Sequence, residues 1–126
     1  MSYVYIVIAL AILQYQWFGW EVGKMRVKHG VRAPTITGHA EFERMFRVHQ
    51  NTMELLVVLI PLLMIAPAYL DGRWVAASGV VYLVGREIYR RVYLADPSTR
   101  SMGYSLSVGP VAVLIVVILF GAARTL

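Results

Sequence analysis

Four apolar stretches, each close to the length that crosses a bilayer, take up most of this chain of 126 residues. A hydrocarbon core of about 30 Å needs about 20 consecutive apolar helical residues, because each contributes about 1.5 Å of rise. Residues 111–120 carry no polar side chain at all. Hydrophobic residues make up 59% of the chain and charged residues only 15%, with a mean hydropathy of +0.63, which excludes an ordinary soluble domain. The sequence predicts an all-α integral membrane protein: one domain, 1–126, folded as a four-transmembrane-helix bundle with helices at about 3–23, 40–68, 74–95 and 104–123.

The punctuation between the helices agrees with this. The first stretch resembles a signal peptide only superficially: no basic residue precedes it, and it runs through Gln14 to Trp20 without a small-residue cleavage pattern, so a retained helix is expected. Pro34 and Gly38 interrupt the basic linker after it. Asp71-Gly72-Arg73 reads as a tight turn, which makes the second and third helices antiparallel neighbours, and Asp96 to Gly103 reads as the last loop. Six of the twelve Lys and Arg residues lie between Lys24 and Arg47 and four between Arg86 and Arg100. The positive-inside rule therefore puts the first and third loops in the cytoplasm and both termini outside. The net charge of +5 is explained by topology, not by nucleic-acid binding.

Two polar stripes enter these apolar helices. In the second helix Glu43, Arg47, Gln50 or Asn51, and Glu54 recur at steps of three and four, beside Arg44. In the third, Tyr82, Arg86, Tyr89 and Tyr93 do the same. Ionisable groups inside a membrane segment usually face a bundle interior or a wet cavity, so both stripes are site candidates, gathered with Arg26 and Arg100 at one rim. The arginines outnumber the acids there, and planar guanidinium groups suit a small anion bearing carboxylates. His29, His39 and His49 lack metal-site spacing, so no metal is expected, and there is no phosphate loop or Ser-His-Asp arrangement. With no cysteine in the chain, any reactive thiol must come from a ligand.

The pattern Phe42-Glu43-Arg44, Arg47, Asn51, Glu54, followed by Tyr82, Arg86, Tyr89, Tyr93 and Arg100, resembles the signature of the MAPEG family, membrane-associated proteins in eicosanoid and glutathione metabolism. The second half is especially similar to its microsomal glutathione transferase and leukotriene C synthase members. The resemblance implies a homotrimer of four-helix protomers, with glutathione as co-substrate at each subunit interface on the cytoplasmic side. It implies that Arg47, His49, Asn51, Glu54, Tyr89 and Tyr93 bind glutathione, with Arg26 added from a neighbouring subunit. Glu43, Arg44 and Arg86 would support the polar pocket, and Arg100 would be catalytic, beside the sulfur.

Two positions depart from the eicosanoid enzymes: Leu55 replaces a tyrosine and His49 a glutamine. The reading expected is a membrane-bound glutathione transferase that joins the thiolate to a lipophilic electrophile or reduces a peroxide, in a bacterial inner membrane. The alternative is a non-catalytic, lipid-binding accessory member of the family.

Overall fold

The computed structural model describes residues 1–126 as four long helices. They are α1 (Ser2–His29), α2 (Ala40–Ile65), α3 (Gly72–Ala95) and α4 (Ser101–Ala123). Two single 3₁₀ turns, Ala66–Ala68 and Pro97–Thr99, complete the links after α2 and α3. Three segments, Ser2–His29, Ala40–Ala68 and Ser101–Ala123, are long and apolar enough to cross a membrane. At 24 residues α3 has similar length, but it carries Arg73, Arg86, Glu87, Arg90 and Arg91 and is the most polar of the four.

The first helix runs six residues beyond the expected end at 23. Lys24 and Glu21 pair one turn apart at 3.3 Å, and the helix stops only where Gly30 takes a left-handed conformation (φ 67°). The Gly30 and Val31 N–H groups both donate to the Arg26 carbonyl, a Schellman-type ending, and Val31 is buried against the core. The third and fourth helices also begin before the expected 74 and 104. Asp71 is the cap of α3, its carboxylate accepting from the Arg73 N–H at 2.8 Å, so Gly72 and Arg73 are helical and not a turn. Asp96 caps the Pro97–Thr99 turn in the same way, and hydrogen bonds from the Ser98 hydroxyl and N–H hold its carboxyl below the usual carboxylate range. This compact turn lets α4 start at Ser101, three residues before the expected 104, so the last link is shorter than expected.

Glycines set how closely the helices cross. A Cβ on Gly85 would lie 2.8 Å from the Leu106 backbone carbon, and one on Gly103 would lie 2.5 Å from the Tyr89 nitrogen. Gly103, which the sequence suggested as a loop residue, is thus an interior helix-crossing residue. Small residues allow such backbone approach in membranes, where apolar burial gives no drive for helices to associate.

The interior falls into two apolar layers separated by a polar one. One layer holds Val4, Val7, Leu59, Leu63, Val75 and Leu114, and the other, at the end with the basic links, holds Phe18, Val22, Phe42, Met45, Val48 and Tyr89. Between them, by position along α2, α3 and α4, lie the buried polar residues Thr52, Arg86 and Ser107. Only 26 of 126 residues are buried, while Val57, Val116, Leu119 and Phe120 are 63–70% exposed. Apolar surface on that scale requires lipid or another subunit against it.

The glycine contacts give a direct test. Gly85→Val should lower the melting midpoint in detergent, at a cost of about 1–3 kcal/mol from overpacking. Gly109→Ala should not lower it, because no atom lies within 4 Å of a Cβ at Gly109 and alanine is the better helix former.

Candidate functional site

A cleft of about 720 Å³ opens between α2, α3 and α4 beside the last link. Its walls come from α2 (Arg47, Asn51), α3 (Tyr89, Tyr93), the last turn (Ser98, Arg100) and α4 (Ser101, Tyr104, Ser105). Helical spacing explains the assembly. Arg47 and Asn51 are one turn apart, as are Tyr89 and Tyr93, whose rings stack at 5.3 Å, while the short link swings Arg100 over the same opening. The lining holds two arginines and no carboxylate.

Arg86 does not line the cleft but underlies it as a buried floor, behind the lining residues Asn51 and Tyr89. It is fully buried, its Nε donates to Ser107 Oγ at 2.9 Å, and its Nη1 donates to Asn51 Oδ1 at 2.7 Å and Thr52 Oγ1 at 3.4 Å. Both hydroxyls spend their own protons on carbonyls one turn back, Thr52 on Val48 and Ser107 on Gly103, so each presents lone pairs to the guanidinium. The guanidinium also lies 4.2 Å from the Tyr89 ring centroid, and no carboxylate pairs with it. A charge in a low-dielectric interior acts over a longer distance than one in water. The floor therefore adds to the positive field of Arg47 and Arg100, and it fixes Asn51 and Tyr89, two residues of the wall.

The structure brings together Arg47, Asn51, Tyr89, Tyr93 and Arg100 from the sequence-based set. Glu54 does not line the cleft; it lies 3.4 Å from Arg47 Nη1, with both side chains about half exposed on the outer face of the protomer. Other candidates have different work. Arg44 donates to the Leu94 and Ala95 carbonyls at 3.0 and 3.4 Å and so caps α3, where a cation also suits the helix dipole. Glu43 accepts from the Gly38 N–H at 3.3 Å, which ties the first link to α2.

Arg26 donates to the Thr35 carbonyl at 2.7 Å and lies over the Phe42 ring, outside its own protomer's cleft. His49 points to α1, stacked on Tyr15 at 4.3 Å between centroids, and does not line the cleft. On a 3.6-residue helix His49 is rotated well away from Arg47 and Asn51, since residues two apart do not share a face. Leu55 is half-buried against the inner apolar layer. No group of three or more His, Asp and Glu residues is placed to hold a metal.

Sequence reasoning passed over Ser98, Ser101, Tyr104 and Ser105. Ser101 and Ser105 are one helical turn apart, a signal hidden because this stretch was read as loop up to Gly103.

With this geometry in place, comparison with known proteins decides the family. The model of the MAPEG family matches residues 4–120. The chain belongs to the MAPEG family. Microsomal glutathione S-transferase 2 of Mus musculus is 36% identical over 114 residues, which covers 90% of this chain and 78% of that protein. The Homo sapiens protein of the same description is 35% identical over 116 residues, 92% and 79% of the two chains. Leukotriene C4 synthase of Cavia porcellus is 34% identical over 80 residues, 64% of this chain and 53% of that protein.

The floor can be probed apart from any ligand. Arg86→Ala strands the polar groups of Asn51 and Ser107 and should cost about 3 kcal/mol, at the rate of 1–3 kcal/mol for each buried unpaired group. Arg44→Ala, which only uncaps a partly exposed helix end, should cost about 1 kcal/mol. Melting midpoints in detergent should fall further for the first than for the second.

Proposed function

We propose that this MAPEG protein is a membrane-bound glutathione transferase that binds glutathione in the cleft, holds it as the thiolate and joins its sulfur to a lipophilic electrophile. The observation that carries the reading is the cleft itself: five residues of the family pattern converge on one opening whose charged side chains are all arginines. Glutathione brings two carboxylates, an amine and a thiol. Arg47 is assigned to a carboxylate, Glu54 to the amine, and Asn51, Tyr89 and Tyr93 to the peptide. Relatives named as glutathione S-transferases support the same assignment.

Arg100 is assigned the catalytic role. A free thiol ionises near pH 8.5, so at neutral pH it is mostly protonated, and a nearby guanidinium favours the charged, nucleophilic form. With an α,β-unsaturated carbonyl, the thiol proton leaves to solvent and the sulfur electron pair forms a bond to the β-carbon. The carbon–carbon π pair moves toward the carbonyl, and a proton from water then completes the α-carbon. The protein supplies orientation and electrostatics.

We also infer that all four helices cross the membrane, with the links after α1 and α3 in the cytoplasm, of a bacterium on this reading, and that three protomers assemble. Arg47, Gln50 and Glu54 form a charged cluster on the outer face of α2, with Glu54 near the middle of that helix. Ionised groups at such depth are costly against lipid, and a neighbouring subunit bringing its Arg26 would cover them.

Five measurements test the reading. Mixing the purified protein with glutathione at neutral pH should give a saturable rise in thiolate absorbance; glutathione bound without that rise would mean an accessory member. Arg100→Ala should lower kcat by about a hundredfold with little change in the glutathione KM, the effect of losing one donor to a developing anion. Arg47→Ala should instead raise that KM by about tenfold, in line with one charged hydrogen bond. Light scattering of the detergent-solubilised protein should give the mass of three chains, and a reporter fused after Leu126 should lie on the non-cytoplasmic face.

A further inference from the structure

Away from the cleft, α1 and α3 meet along a seam on the outside of the bundle. Gln14 of α1 donates to the Leu83 carbonyl at 2.9 Å, and nearer the basic links Arg90 lies over the Trp17 ring, 4.6 Å from its centroid. Each helix turns an apolar stripe outward beside this seam. On α1, Leu10 and Trp17 are exposed and lie close to two turns apart, and Lys24 continues the line at the same interval. On α3, Val80 and Val84 are exposed, and the stripe runs on at steps of three and four to Glu87 and Arg91.

Both stripes end in charge, and the charges are sorted. Lys24 donates to Glu21 at 3.3 Å, while Glu87 accepts from Arg90 at 2.8 and 3.0 Å and from Arg91 Nε at 2.7 Å. The acids lie inside, with side chains 15% and 27% exposed, and Lys24 and Arg91 lie outside, at 61% and 74%. Arg90 is largely covered, held between Glu87 and Trp17. Arg91 engages only its Nε, so both Nη groups are free, and Lys24 keeps donors beyond the one it spends on Glu21. An anion arriving from the bilayer meets the cations first.

We propose that this α1/α3 seam binds an anionic glycerophospholipid, its phosphate held by Lys24 and Arg91 and an acyl chain lying along Leu10, Trp17, Val80 and Val84. A guanidinium with two free Nη groups fits a phosphate through paired hydrogen bonds, and an ammonium adds a compact charge. Trp17 supplies an aromatic ring of the kind that settles at headgroup depth. The seam has the same order of parts as the lipid, apolar along the helices and cationic at the end with the basic links. It is also distinct from the face assigned to a neighbouring subunit. Arg26 follows Trp17 by about two and a half turns, so it leaves α1 on the opposite side.

The test uses Trp17 as its own reporter. The chain has three tryptophans, so Trp20→Phe with Trp74→Phe leaves Trp17 alone. This parent is reconstituted in phosphatidylcholine bilayers that contain a small fraction of lipid with brominated chains, either phosphatidylglycerol or phosphatidylcholine. Brominated phosphatidylglycerol should quench Trp17 at a mole fraction about twentyfold below that needed for brominated phosphatidylcholine. Lys24→Gln and Arg91→Gln should each lower this preference about fivefold, the worth of one cation near an anionic membrane surface, and the two together should abolish it. Arg32→Gln removes an exposed cation outside the seam and should leave the preference within about twofold. Melting midpoints in detergent should match the parent for all of these variants, because the side chains changed are exposed.

Equal quenching by the two lipids in the parent, or a preference that survives the double variant, would overturn the proposal. So would a loss for Arg32→Gln as large as for Arg91→Gln, which would reduce the effect to net charge. Sodium phosphate and sodium chloride at equal ionic strength separate a lipid from a free anion. Both should weaken the preference alike, by screening. Displacement by phosphate alone would assign the two cations to a soluble anion and overturn the lipid site. The measurement needs neither glutathione nor turnover, so its outcome is independent of the activity assigned to the cleft.

Discussion

A single buried cation, Arg86, determines how the middle of the bundle is built. It has no carboxylate partner and depends on neutral oxygens from three residues on two other helices: Asn51 and Thr52 on α2 and Ser107 on α4. Removing an ion from water costs several kcal/mol even after relaxation, and those oxygens together with the Tyr89 ring offset part of that cost. The arrangement works only if α2, α3 and α4 keep their register, because a shift of one residue on any of them turns its oxygen away. The apolar layers on either side have no comparable directionality. They supply volume and close packing, and the polar layer selects one alignment.

That alignment also places the cleft. Asn51 and Tyr89 have one side toward Arg86 and the other toward the opening, so the interaction that fixes the helices also fixes two residues of the wall. Close crossings at Gly85 and Gly103 keep α3 and α4 in near backbone contact just beneath it. The compact Asp96-capped turn then has little freedom in where it delivers Arg100. Charge, packing and link length each constrain a different part of the same site.

Several of these features are legible in the chain itself. Long apolar stretches set the helix count, and steps of three and four picked out Arg47, Asn51, Tyr89 and Tyr93, which do converge. The failures have physical causes. His49 lies between Arg47 and Asn51 in sequence but points to Tyr15, because helical neighbours in sequence are not neighbours in direction. Arg44 belongs to the same charged run, yet its length lets it reach the open carbonyls of α3. Gly103 resembled a loop glycine because a glycine that breaks a helix and one that lets two helices touch are the same residue; only the helix across from it tells them apart. Ser101 and Ser105 were hidden by that same misplaced boundary.

The sequence by itself determined the membrane-scale helices, the end of the molecule where basic residues collect, and the family, since all three follow from local pattern and spacing. Tertiary structure alone decided which polar residues are structural and which are available. Arg44, Arg86 and Arg47 are chemically identical side chains with similar surroundings in sequence. One caps a helix, one is sealed in the core and one faces an open cleft, because a guanidinium's role is set by the acceptors that other helices bring within about 3 Å of it.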